Sequence, residues 1–161
     1  MEAYECGSRG ASIGLNVGAK SGGSREKRAN PESRICLLLW GMKMRVMCKS
    51  KIHHAVVTAA DVNYIGSIGI DAGLMRLTDI VEGEQVSVWN VNNGQRIVTY
   101  AITLPEGSRQ IVVNGAAAHH FRAGDKVIIV AFCLADEPVK PRMIMVDGQN
   151  QFLKDLVGVP A

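Results

Sequence analysis

Aromatic side chains make up only 5% of this 161-residue chain. A surface that binds nucleic acid by base stacking needs more of them, together with a basic stripe. The formal net charge of +3 does not supply one: six of the 18 Lys and Arg and four of the 15 Asp and Glu fall in residues 1–41, leaving twelve against eleven beyond. A body this close to neutral is not expected to bind nucleic acid. Long apolar runs are missing as well. The longest, Ile35 to Trp40, is about a third of a membrane-spanning helix, and "GMKMR" follows where a signal peptide carries small residues for cleavage. Cys6, Cys36, Cys48 and Cys133 contain no C-x-x-C pair and no framework of close spacings, so they read as free thiols in a reducing compartment. Together these absences predict a soluble cytoplasmic protein with neither a nucleic-acid nor a membrane partner.

What is present divides in two. Met1 to Arg34 is rich in Gly, Ser and Arg and carries almost no apolar residue at helical or strand spacing, so it is expected to be disordered. Residues 1–41 read as an extension, or as the result of a start assigned too early, since Met42 and Met44 stand just before the first patterned strand. The domain is expected over residues 42–161, long enough for one core without disulfide or metal staples. Within it "MRVMCKSKIHHAVVTAA" is an extended run, and "DAGLMRLTDIVEGE" is a short helix ending near Gly83. "EQVSVWNVNNGQRIVTYAI" is a hairpin about Asn93-Gly94. "RQIVVNG", "DKVIIVAFCLA" and "RMIMVDG" are further strands, the middle one apolar on both faces and therefore central. About six short strands with one or two small helices predict a mainly β protein, a closed or nearly closed barrel that hides its strand edges.

Chemistry-bearing residues are scattered along these elements. His53-His54 and His119-His120 sit on extended segments where neighbours face opposite sides, so each pair sends at most one imidazole into a shared site. That falls short of the three or four convergent ligands zinc requires, and no metal is expected. Arg96, Thr99 and Tyr100 follow one another on the outgoing arm of the hairpin. Arg is the side chain that grips a carboxylate with a two-point fork, and a Tyr phenol can deliver a proton to a carbanion. The same three residues also suit a solvent-facing strand. Asn114-Gly115 marks a tight turn followed by alanines, small enough for main-chain N–H groups to approach a ligand. Gly66-Ser67, in "NYIGSIGID", lies in a turn between isoleucines with no acid, His or Cys beside it.

Taken in order, "KIHH", "YIGS", "WNVNNGQR", "TYAI", "GSR", "VNGAAAH" and "GDKVIIVAF" resemble the aspartate 1-decarboxylase family over roughly Met44 to Phe132. The resemblance implies a double-psi β-barrel, assembled as a homotetramer with active sites between subunits. It implies self-cleavage between Gly66 and Ser67: Ser67 Oγ attacks the Gly66 carbonyl, and the ester breaks by elimination to dehydroalanine. Hydrolysis then leaves ammonia and a covalently bound pyruvoyl cofactor derived from Ser67. Thr99 would help polarise the Gly66 carbonyl. The substrate would be L-aspartate, held by Lys51, Arg96, Thr99, Asn114, Gly115, Ala116 and Ala117, with Tyr100 as proton donor. His53, Tyr64, Trp89 and Ile128 would form the walls, while Asn63 stands where some relatives have His. The product would be β-alanine, for pantothenate and coenzyme A, and an accessory protein is a candidate partner in maturation. Two rivals remain at this point: a non-catalytic barrel used as a binding module, and a pyruvoyl decarboxylase of another amino acid.

Overall fold

The computed structural model describes residues 43–156. The expectation for residues 1–41 lies outside the described residues, as does the end of the expected domain. Among the described residues the chain is mainly β, a double-psi β-barrel with one short α-helix and one 3-10 helix. The strands are β1 (Arg45–Val56), β2 (Ala59–Asp61), β3 (Ile68–Asp71), β4 (Gln85–Asn90), β5 (Arg96–Leu104), β6 (Ile111–Asn114), β7 (Lys126–Ala135), β8 (Arg142–Val146) and β9 (Phe152–Asp155). Helix α1 (Ala72–Thr78) follows β3, and the 3-10 helix (Gly115–His120) follows β6. The strand order is β2-β6-β3-β5-β4-β7-β1-β8-β9, with parallel pairs β2–β6, β3–β5 and β1–β8 among otherwise antiparallel neighbours.

Strand β7 is central, between β4 and β1, as its two-sided apolar pattern predicts. Its Val127, Ile129 and Ala131 point inward, fully buried against Ile52 of β1 and Val86 and Val88 of β4. Each such Ile or Val contributes about 1.5–3 kcal/mol by leaving water. Ile68 and Ile70 of β3 enter the same core, which fixes which way the intervening and preceding residues point.

The described residues hold nine strands rather than about six, β3 and β9 having no counterpart in the sequence expectation, and three of the expected elements also differ locally. The long first run breaks at Val57–Thr58 into β1 and β2, because Thr58 pairs instead with Ile111: its N–H and Oγ1 both donate to the Ile111 carbonyl. Helix α1 ends at Thr78 rather than near Gly83. Asp79 takes the left-handed conformation at φ 59, and the N–H groups of Asp79 and Ile80 close on the carbonyls of Arg76 and Met75, a Schellman stop built on Asp instead of Gly. The hairpin turns through five residues, Val91–Gln95, not two. Asn90, only 2% exposed, accepts the Asn92 and Asn93 N–H groups on its side chain, and Gly94 supplies the one positive φ the turn needs.

Candidate active site

The Gly66-Ser67 bond lies at the end of the loop that joins β2 to β3. Asp61 opens this loop by accepting the Asn63 N–H at 2.8 Å. Ile65 projects into solvent at 93% exposure, yet Ser67, two residues on, is 3% exposed. Ser67 directly precedes β3, whose Ile68 and Ile70 are anchored in the core. Two main-chain donors hold Ser67: Tyr100 N–H reaches its Oγ at 3.0 Å, and Asn114 N–H reaches its carbonyl at 2.8 Å. Gly66 stands at φ 140, where L side chains are rarely found, and a Cβ there would lie 2.6 Å from Ile102 Cδ1. Gly115, at φ 60, presses from the other side: a Cβ on it would lie 3.3 Å from the Gly66 carbonyl oxygen and 3.5 Å from that of Tyr64. Asn114 Nδ2 and the Tyr64 ring complete the surround within 4 Å of the same Gly66 position. A buried hydroxyl is thus fixed beside a peptide bond in a conformation open to glycine and rarely adopted by other residues.

The expected tight turn after Asn114 is instead the 3-10 helix, and its far end is pinned. Asn90 Nδ2 donates to the His120 carbonyl at 3.2 Å and to Asp125 at 2.7 Å, and Asn93 Nδ2 reaches the same carbonyl at 3.0 Å. Ala116 is exposed while Ala117 packs on the core. A cavity of about 310 Å³ opens beside the loop, lined in part by Tyr64, Gly69, Ile102 and Asn114.

A second cluster occupies the outer face of β1, β7, β4 and β5. Strand register places His53, Ile128, Trp89 and Arg96 side by side in one row across the four strands. The Arg96 guanidinium stacks over Trp89, 4.9 Å from the ring centroid. Lys51, two residues before His53, is half-buried. A β-bulge corrects the expected alternation of the first histidine pair: His54 is left-handed at φ 65, and its ring stacks on that of His53 at 3.9 Å. Burial, then the neighbouring His54 and Lys51, push the His53 imidazole down to about 4, so it is neutral at physiological pH. Its Nδ1 is buried without a hydrogen-bond partner among the described residues.

Within one chain these two clusters stand apart. Arg96 is four residues along β5 from Tyr100, about 13 Å at the strand rise. Lys51 is separated from β3 by three intervening strands, roughly 19 Å along the sheet at the interstrand spacing. Gly66, Ser67, Tyr64, Tyr100, Asn114 and Gly115 come together around the loop, whereas Lys51, His53, Trp89, Arg96 and Ile128 form the outer row. Thr99 precedes Tyr100 on β5, but the hydrogen bonds to Ser67 come from Tyr100 and Asn114. Sequence reasoning passed over Ile102 and Asn90. Ile102 was findable, since it lies two residues from Tyr100 and so shares its face; the long-range bonds of Asn90 leave no local signal.

The described helices include none long and apolar enough to cross a membrane. The family model for aspartate decarboxylase matches residues 42–153, more than half of the chain and the whole span that carries both clusters. A decarboxylase family, matched over the barrel from its first strand to its last, is where the sequence and the geometry meet, and the chain belongs to the aspartate decarboxylase family.

Proposed function

We propose that the chain cleaves its own Gly66-Ser67 bond and then decarboxylates L-aspartate to β-alanine and carbon dioxide at a pyruvoyl group derived from Ser67. The observation that carries this is Ser67 itself, a 3%-exposed hydroxyl fixed beside a glycine at φ 140. A turn serving only to connect two strands has no need of either. The residues around the loop fit a small group at position 67: Gly66 and Gly115 let the surrounding chain approach more closely than a Cβ would allow, and the Asn114 N–H already grips the carbonyl of residue 67. The pyruvoyl group supplies the electron sink for the breaking carbon–carbon bond.

The protein's own residues do the rest. Ser67 Oγ attacks the Gly66 carbonyl, with position taking the place of a strong base, and the acyl group moves from nitrogen to oxygen. Thr99 assists at the carbonyl. Arg96, pre-oriented by Trp89, forks onto a substrate carboxylate, and Lys51 adds a second cation. Two cations favour a dicarboxylic amino acid over one with a single carboxylate. Tyr100, whose side chain is half exposed, delivers the proton to the α-carbon. Asn114 and Gly115 to Ala117 line the bound substrate, with Tyr64, His53 and Ile128 as walls.

A homotetramer with active sites between neighbouring subunits reconciles the two clusters, since one copy's outer row can face another copy's cleavage loop. Val46, Leu134 and Val98 on that outer face are 70%, 68% and 64% exposed, and the buried Nδ1 of His53 awaits a partner. Free Cys48 and Cys133 suit a cytoplasmic setting. Residues 42–161 form the decarboxylase domain and residues 1–41 an extension to it, and an accessory protein is a candidate partner in the cleavage. The product serves pantothenate and coenzyme A synthesis. Wild-type protein should release carbon dioxide from L-aspartate and Ser67→Ala should release none; release by Ser67→Ala would overturn the assignment.

A further inference from the structure

We infer that two main-chain N–H groups, those of Tyr100 and Asn114, are the catalytic donors for the elimination half of maturation, an inference that rests on the self-cleavage proposed above. Their placement matches the two oxygens on which charge develops. Tyr100 N–H lies 3.0 Å from Ser67 Oγ, and Asn114 N–H lies 2.8 Å from the Ser67 carbonyl oxygen. Once the Gly66 acyl group has moved to Oγ, the amine of residue 67 is free and Oγ is the bridging ester oxygen. Loss of the Ser67 α-proton to water then sends the electron pair toward the Ser67 carbonyl oxygen, where Asn114 N–H stabilises the enolate. The pair returns to form the Cα–Cβ double bond as the Cβ–Oγ bond breaks. Oγ leaves as one oxygen of the Gly66 carboxylate, and Tyr100 N–H, already bonded to it, meets a full negative charge. Both bonds therefore strengthen from ground state to transition state, the condition for a donor to accelerate a step.

The two donors differ in when they act. Tyr100 N–H touches Oγ through both the acyl shift and the elimination. Asn114 N–H touches only the oxygen charged in the elimination. Neither effect depends on a side chain, so side-chain substitution at position 100 is the wrong test and removal of the N–H alone is the right one.

Replacing Tyr100 by its α-hydroxy acid swaps that N–H for an ester oxygen and keeps the phenol; the same replacement at Asn114 keeps the carboxamide. Ala101, next to Tyr100 on β5, gives the control, because its N–H donates at 2.9 Å to the Glu84 carbonyl and touches no reacting atom. Each full-length chain is followed by denaturing mass spectrometry after quenching, with and without hydroxylamine, which cuts the ester but not the amide. The wild type and the Ala101 replacement should cleave at similar rates. The Tyr100 replacement should cleave at least about tenfold more slowly. The Asn114 replacement should accumulate chain that hydroxylamine cuts between residues 66 and 67, told by fragment mass from cutting at the ester introduced before residue 114. Thermal unfolding of the Tyr100 and Ala101 proteins, expected to be alike, separates a lost donor from a damaged strand. Cleavage of the Tyr100 and Asn114 proteins at the Ala101 rate overturns the inference while leaving self-cleavage intact. A wild-type chain that never cleaves overturns the self-cleavage on which it rests.

Discussion

Gly66 combines a positive φ with a neighbour, Ile102 Cδ1, that leaves a Cβ only 2.6 Å of room. Gly66→Ala therefore faces backbone strain of about 1–3 kcal/mol together with a contact the isoleucine must relieve. The strain falls on the peptide bond that, in the proposed self-cleavage, presents its carbonyl to Ser67, so Gly66→Ala should fold and remain one chain, as a denaturing gel would report. Tyr100→Phe separates the two reactions: it keeps the N–H to Ser67 and loses only the phenol, so cleavage should proceed while carbon dioxide release from aspartate falls roughly 10²-fold or more. His53 gives a pH prediction. Its folded pKa, lowered to about 4, lies below the unfolded 6.5, so between these values the unfolded chain binds a proton that the native one does not. Stability from this group is therefore present above about pH 6.5, is lost as pH falls toward 4 and changes little below that. His53→Gln should flatten the dependence of urea midpoint on pH within that window and leave it unchanged above pH 7. A steeper dependence in the variant would contradict the assignment.

At the scale of elements, much of the barrel was written in hydrophobic period. The two-sided apolar run of β7 announced a central strand, and alternation on β4 and β5 announced a hairpin. What escaped detection was long-range. The bulge that turns His53 and His54 to one side arises in the pairing of β1 with β7, between residues more than 70 positions apart, and no local pattern encodes it. Asn150 is of the same kind. It is 2% exposed at φ 58, accepts the Val56 N–H at 2.7 Å, and donates to the carbonyls of Val56 and Arg109 at 2.8 and 2.9 Å. One carboxamide thus ties the β8–β9 turn to the end of β1 and to the segment before β6. Asn150→Ala would strand buried polar groups on both, a loss of about 2–4 kcal/mol, read as a lower urea midpoint. Because β1 continues through β2 into the loop that holds Gly66-Ser67, the same variant should also slow the proposed chain cleavage. The candidate site was legible only in part. Gly66-Ser67 stood out as an odd pair, but its support by Tyr100 and Asn114 comes from main-chain atoms, which side-chain identity does not announce.

For the whole molecule, the separation of the outer row from the cleavage loop makes a prediction that neither cluster makes alone. Arg96→Gln and Tyr100→Phe should each lose most of their activity as pure assemblies. Mixed assemblies from co-expressed chains should regain activity, because some sites then pair an intact row from one copy with an intact loop from another. Absence of any recovery would place each site within a single chain. Leu134→Glu, on the exposed outer face, should shift the assembly toward smaller species on size exclusion and lower decarboxylation more than cleavage. All of this depends on residue 67 becoming the electrophile. The direct measurement is a denaturing intact-mass spectrum of purified wild-type protein without substrate. Maturation at Ser67 predicts two chains, one ending at Gly66 and the other beginning at residue 67 and lighter than a serine-started chain by one ammonia. A single intact chain that stays intact on incubation with host-cell extract would contradict it.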